Sequence, residues 1–132
     1  MVLVDKWYAK HPEWFERSFV EIELRYDGWT PLIDDVLNAA EKIMAKHPHA
    51  SFRVDQIKEK LGGLRIYVGH EGLPEEASAQ LSKISLAACQ RSFSICEICG
   101  APAALGSLKS RWSVRCQSCA PAGWEPSGSG EF

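Results

Sequence analysis

Four of the five cysteines fall into two Cys-x-x-Cys pairs, Cys96/Cys99 and Cys116/Cys119, with 16 residues between the pairs. Two thiolates held on one tight turn can face a single cation, and a second such turn completes a tetrahedron with metal–sulfur distances of about 2.3 Å. Gly100, directly after the first pair, supplies the left-handed backbone that such a knuckle needs. The spacing therefore predicts a structural Zn2+ held by Cys96, Cys99, Cys116 and Cys119. Two disulfides, or one redox pair, are the other readings of these thiols. The first is disfavoured because Met1 to Lys6 carries no secretory segment, and the second leaves one pair unexplained. Cys89 lies in a helix-like stretch and reads as a small buried hydrophobe rather than a substitute ligand.

A four-thiolate ion is coordinatively closed and has no position for a reactive water. Other chemistry finds little support along the chain. A zinc deaminase needs His-x-Glu and Pro-Cys-x-x-Cys, whereas His70 and Glu71 are adjacent and Ile95 precedes Cys96. The last histidine is His70, so the 96–119 segment holds no histidine base of a nuclease. His47-Pro48-His49 reads as a solvated turn at a helix end, and His11 as a cap or surface residue. Phosphate loops, nucleophile elbows and Ser/His/Asp patterns are missing from the sequence. The expectation is a non-enzymatic protein with no catalytic residues.

The rest of the chain suits one modest core: 132 residues, 45% of them hydrophobic, with a formal charge of −2. That charge gives no bulk attraction for polyanions, and no apolar run reaches the ~20 residues of a membrane span. The expected location is the cytoplasm. Trp7, Tyr8, Trp14 and Phe15, within residues 5–18, have helical spacing with a fresh turn at Pro12, and are expected to pack in the core. Residues 19–26 alternate as a half-buried strand, with Val20, Ile22, Leu24 and Tyr26 on one face. Thr30-Pro31 reads as a cap and first turn of a helix whose stripe is Leu32, Ile33, Val36, Leu37, Ala40, Ile43 and Met44, stopped at Pro48. Residues 52–59 and 64–68 read as strands joined through residues 60–63, followed by a loop over 69–74. A second helix is expected over 75–93, with Ala77, Leu81, Ile84 and Ala88 in register and Leu86 and Phe93 extending the apolar face.

This order predicts an α+β fold: a small antiparallel sheet, two main helices and a C-terminal zinc-ribbon or treble-clef-like module. The expected organisation is a body over 1–94, a four-cysteine zinc module over 95–121 docked on it, and a disordered or cloning-derived tail over 122–132. Two surface groups are candidate partner-binding sites. Lys58, Lys60, Arg65 and Tyr67 gather cations and a ring on one hairpin, although pairing with Glu59 and Asp55 on a solvated face is the plainer reading. Lys109, Arg111, Trp112 and Arg115 mix cations with an aromatic as single-strand binders do, but four cations are few for strong phosphate binding.

Asp27-Gly28-Trp29, the stretch Val54-Asp55-Gln56-Ile57-Lys58-Glu59-Lys60-Leu61-Gly62-Gly63-Leu64-Arg65-Ile66-Tyr67, and Cys96-Glu97-Ile98-Cys99-Gly100 together carry a resemblance. The chain resembles, over about residues 25–119, a group of small bacterial and phage-associated proteins with these motifs and a C-terminal double Cys-x-x-Cys. The resemblance implies a zinc-bearing accessory protein and no catalytic residues. With the acidic 88 residues that precede Cys89, it leads to the expectation of an inhibitor of a protein partner. That partner is a toxin met by an immunity protein, or a defence enzyme met by a phage factor. Nucleic-acid binding through the module is the alternative.

Overall fold

In the computed structural model, residues 2–15 and 21–127 are described. Helix α1 (Val2–Lys10) leads into a 3-10 turn at Pro12–Phe15, and strand β1 (Glu21–Glu23) precedes helix α2 (Thr30–Ala45). Strands β2 (Ser51–Lys60) and β3 (Gly63–Glu71) form a hairpin, and helix α3 (Glu75–Ser92) follows. The C-terminal module is built on β4 (Ala104–Leu108), β5 (Arg111–Arg115) and β6 (Glu125–Pro126). The architecture is α+β, with two three-stranded sheets in the orders β1-β2-β3 and β5-β4-β6. Among the described residues, no helix is long and apolar enough to cross a membrane.

The apolar stripe of α2 is buried as its spacing requires: Leu32, Ile33, Val36, Leu37, Ala40 and Ile43 all enter the core. The cap differs from expectation. Trp29, not Thr30, occupies the N-cap position, with no side-chain cap hydrogen bond. Its ring is buried and its indole N–H donates to the Ile95 carbonyl at 2.8 Å, so tertiary packing sets the helix start. The β2–β3 connection is tighter than the four residues expected. Leu61 and Gly62 have φ of 54° and 89°, the double left-handed backbone of a two-residue hairpin turn. Gly63 belongs to β3, where a Cβ would lie 2.6 Å from the Phe93 ring. Strand β3 also runs on through Glu71, into what the sequence presents as a loop.

The expectation of an all-antiparallel body sheet is corrected at β1, which pairs in parallel with β2 (Ile22 opposite Ile57). A β1–α2–β2 crossover therefore precedes the hairpin. The proposed strand beginning at 19 and the helix end at 16–18 fall partly outside the described residues. Leu86 is 57% exposed and does not extend the buried stripe of Ala77, Leu81 and Ala88. Of the N-terminal aromatics, Trp7, Trp14 and Phe15 are core residues and Tyr8 is exposed. His11 is no simple surface residue: it stacks on Trp14 with ring centroids 4.0 Å apart, and its Nε2 lies 2.6 Å from Glu41.

The module shares the core of the body. Val114 is fully buried in the same cluster as Trp29, Leu64 and Leu81, with Ile95, Ala103 and Leu105 packed against it. Ser92 pins the end of α3 to β3, donating to the Cys89 carbonyl at 2.5 Å and accepting the Leu64 N–H at 2.9 Å. Residues 122–127, expected to belong to the tail, are part of the module. Residues 125–126 pair with β4, and Trp124 packs on Gly106 while its indole N–H reaches Ser113 Oγ at 3.1 Å. Residues 128–132 lie outside the described part.

Candidate metal centre and adjoining cleft

The four cysteines of the two pairs converge, their sulfurs all lying within 4.8 Å of one another. A metal–sulfur distance of about 2.3 Å places the sulfurs of a regular tetrahedron about 3.8 Å apart, and Cys99 Sγ and Cys116 Sγ are separated by 3.6 Å. Two backbone turns create this convergence. In the first, the Gly100 N–H returns to the Cys96 carbonyl at 2.9 Å, with Gly100 at φ 81° as expected from the sequence. In the second, the N–H groups of Cys119 and Ala120 both return to the Cys116 carbonyl, at 3.2 and 3.0 Å. Cys96 and Cys116 are buried and Cys99 is exposed, so the cluster lies at the protein surface with one side open to water. Cys89 is buried in α3 and takes no part in the cluster.

The thiols shape each other's ionisation. Burial opposes loss of the Cys116 proton, but the Cys119 backbone N–H and the Cys119, Cys99 and Cys96 thiols outweigh it and bring Cys116 to about 7. Cys119, donating to Cys116 and further disfavoured by burial and the other sulfurs, is pushed up to about 12. One thiolate forms readily and the next is resisted, as like charges at this distance dictate. The chemistry of four soft donors and their spacing fit a thiophilic, tetrahedral metal ion.

Gly28 and Trp29 fasten the first knuckle to the body. The Gly28 N–H donates to the Glu97 carbonyl at 2.9 Å, and a Cβ at this position would lie 2.1 Å from the Cys96 carbonyl oxygen. Arg115 joins the two knuckles. Its Nε donates to Glu97 Oε1 at 2.9 Å and its Nη1 to the Cys119 carbonyl at 3.4 Å, while its guanidinium lies 5.5 Å from the centre of the Tyr26 ring. Burial pushes the Glu97 carboxyl above its ordinary value despite that pair. Arg115 thus acts within the fold, an engagement that the sequence alone left unseen.

The other candidate partner-binding residues separate into two places. Lys58 and Arg65 are cross-strand neighbours, and Lys58 Nζ lies 5.7 Å over the Tyr67 ring. Arg65 Nε is buried without a hydrogen-bond partner, and Lys60 is exposed at the strand end. In the module, Lys109 sits at the β4–β5 turn with φ 50°, beside Arg111 and Trp112. His47 and His49 occupy the turn after α2, apart from the thiol cluster.

A cleft of about 430 Å³ lies where the end of β1 meets the module. Tyr26, Trp29 and Trp112 line it, together with Arg25, Arg111 and Arg115 and, opposing them in charge, Glu23, Glu59 and Glu97. Sequence reasoning missed Arg25 and Tyr26 as members of a site with Arg111 and Trp112, because residues so far apart in the chain meet only in the fold, where Gly28 and Trp29 bond to the first knuckle and Arg115 lies over Tyr26. No protein family model, curated protein or solved structure matches the chain.

Proposed function

We propose that this chain is a non-enzymatic, zinc-stapled recognition protein that binds and inhibits a protein partner in the cytoplasm. Zinc is the ion favoured here because it accepts four thiolates in a redox-inert tetrahedron and serves purely to hold backbone. The cleft carries the functional reading. Its three aromatics and three arginines are the residue types enriched at the centres of protein interfaces. Its three glutamates leave the lining formally neutral, which suits a polypeptide better than a phosphate backbone. The partner in this reading is a toxin, with the chain as its immunity protein, or a defence enzyme, with the chain as a factor from a phage or mobile element. The resemblance to small bacterial and phage-associated proteins supports that choice.

Lys109, Arg111 and the exposed Trp112 favour single-stranded nucleic acid as the second reading, although the Glu97 pair and the Cys119 carbonyl engage Arg115. A photo-crosslinking residue in place of Trp112, with one in place of Lys42 as control, separates the two. The expected result is a Trp112-dependent, one-to-one adduct with a single protein whose own activity is lost in the complex. Oligonucleotide binding that weakens steeply with salt and disappears in Arg111→Ala/Arg115→Ala overturns the proposal.

A further inference from the structure

Leu61 stands where the backbone least favours it. With Gly62 it forms the β2–β3 turn, at φ 54°, a position that Gly, Asn or Asp fills with far less clash between Cβ and carbonyl. Its side chain is 64% exposed, the most of any large hydrophobic among the described residues, so burial gives nothing back for that conformation. The other two non-glycine residues with positive φ among the described residues, Lys109 and Ser110, form the β4–β5 turn. Backbone held in such sparsely populated regions gathers where a protein binds its ligand or partner.

The Leu61 turn rests on the module. A Cβ on Gly62 would lie 2.5 Å from Leu105 Cδ1 and 3.3 Å from Trp112 Cβ, and one on Gly63 would lie 2.6 Å from the Phe93 ring. Trp112, itself 42% exposed, therefore borders the turn. So does an apolar groove of about 300 Å³ lined by Gln90, Phe93, Ser94 and Leu105. Leu61, Trp112 and the groove adjoin as one apolar surface drawn from body and module. Lys60, Lys109 and Arg111 are exposed around it and form no ion pair among the described residues. Of the carboxylates, Glu59 is half-buried and accepts the Gly62 N–H at 2.7 Å, and Glu125 lies two strands from Trp112, across Ser107. The surface is thus positive on a chain whose formal charge is −2. Nucleic acid is the poorer occupant, since Leu61 has no ring to stack on a base and three cations neutralise few phosphates.

Resting on the recognition reading above, we infer that the β2–β3 turn is the anchor point for the protein partner. Leu61 and Trp112 pack on an apolar side chain of the partner seated in the groove beside Phe93 and Leu105, and carboxylates around that side chain meet Lys60, Lys109 and Arg111.

The probe is a set of short random peptides selected on the full-length, metal-loaded chain. Selected peptides are expected to combine a large apolar residue with Asp or Glu and to shift the amide resonances of Leu61 and Leu105. Leu61→Asn should weaken their binding about thirty-fold or more, as at an interface hot spot. Because Asn suits the turn, the same variant should keep or raise the urea midpoint. Lys60→Glu with Lys109→Glu should weaken binding about ten-fold, and added salt should weaken that of the parent. Failure to enrich any peptide, peptides without carboxylates, or peptides that bind Leu61→Asn as tightly as the parent each overturns the inference. A lowered midpoint for Leu61→Asn makes Leu61 a residue of the fold and overturns it too, as do dimers of the chain that Leu61→Asn abolishes. A whole protein that cross-links at Trp112 yet binds Leu61→Asn as tightly as the parent overturns this anchor alone and leaves the recognition reading standing. An oligonucleotide whose binding needs Trp112 but not Leu61 overturns both.

Discussion

Gly28 is the residue where sequence, fold and site meet most closely. Any side chain there drives a carbon into the Cys96 and Glu97 backbone, at 2.1 and 2.5 Å. Gly28→Ala is expected to cost about 1–3 kcal/mol, as overpacking does elsewhere, and to loosen the knuckle from α2. Urea unfolding of the metal-loaded variant measures this, and an unchanged midpoint contradicts the account. Glu41 governs a separate, pH-dependent contribution. Hydrogen bonds from His11 and then Lys10 hold its carboxyl below the ordinary value of 4.5. The folded state therefore binds fewer protons than the unfolded chain in this range, and the stability it confers is present above about that value and lost as pH falls through the lower folded one. Glu41→Gln should flatten the acid limb of a midpoint-against-pH curve relative to the parent. Equal limbs for both proteins rule the effect out. Gly100 and the four cysteines were legible from spacing alone, because a metal knuckle is a local device. The role of Gly28 was not legible, because its neighbour lies 68 positions away in the chain.

At the scale of elements, the two long helices and the β2–β3 hairpin follow from periodicity and turn chemistry. The apolar stripes read from the sequence are buried or half-buried, whereas Leu86 is exposed because it falls off the Ala77, Leu81, Ala88 stripe. Pairings that depend on distant partners were hidden. The parallel β1–β2 contact spans three residues, and β6 spans two that carry no strand signal in Trp124-Glu125-Pro126. β6 exists because the Trp124 ring covers Gly106 and its indole N–H has a fixed acceptor in Ser113. Truncation after Ala120 is expected to strip this cover, lower the unfolding midpoint and speed amide exchange along β4. A truncated chain with the parent's midpoint and exchange rates contradicts a structural role for residues 121–127.

The whole molecule is a body and a thiol-held module sharing one core. Val114, Ile95 and Leu105 belong to the same apolar cluster as the helices, and the indole of Trp29 hangs on the Ile95 carbonyl. Cys96→Ser should lose the metal and destabilise the module by several kcal/mol, given that zinc binding to small finger peptides is worth about 10–16 kcal/mol. The body keeps its own helices and hairpin, so far-ultraviolet dichroism should retain much of the parent signal while the cleft is lost; full retention of both overturns this coupling. The function proposed here depends on that coupling, since the cleft is made from both parts. Its foundation is the closed tetrathiolate ion, and X-ray absorption at the zinc edge of the purified, metal-loaded chain addresses it most directly. The account predicts one zinc per chain with four sulfurs at about 2.3 Å and no lighter ligand. An oxygen or nitrogen in the coordination shell, or cysteines joined as disulfides with no bound ion, contradicts it.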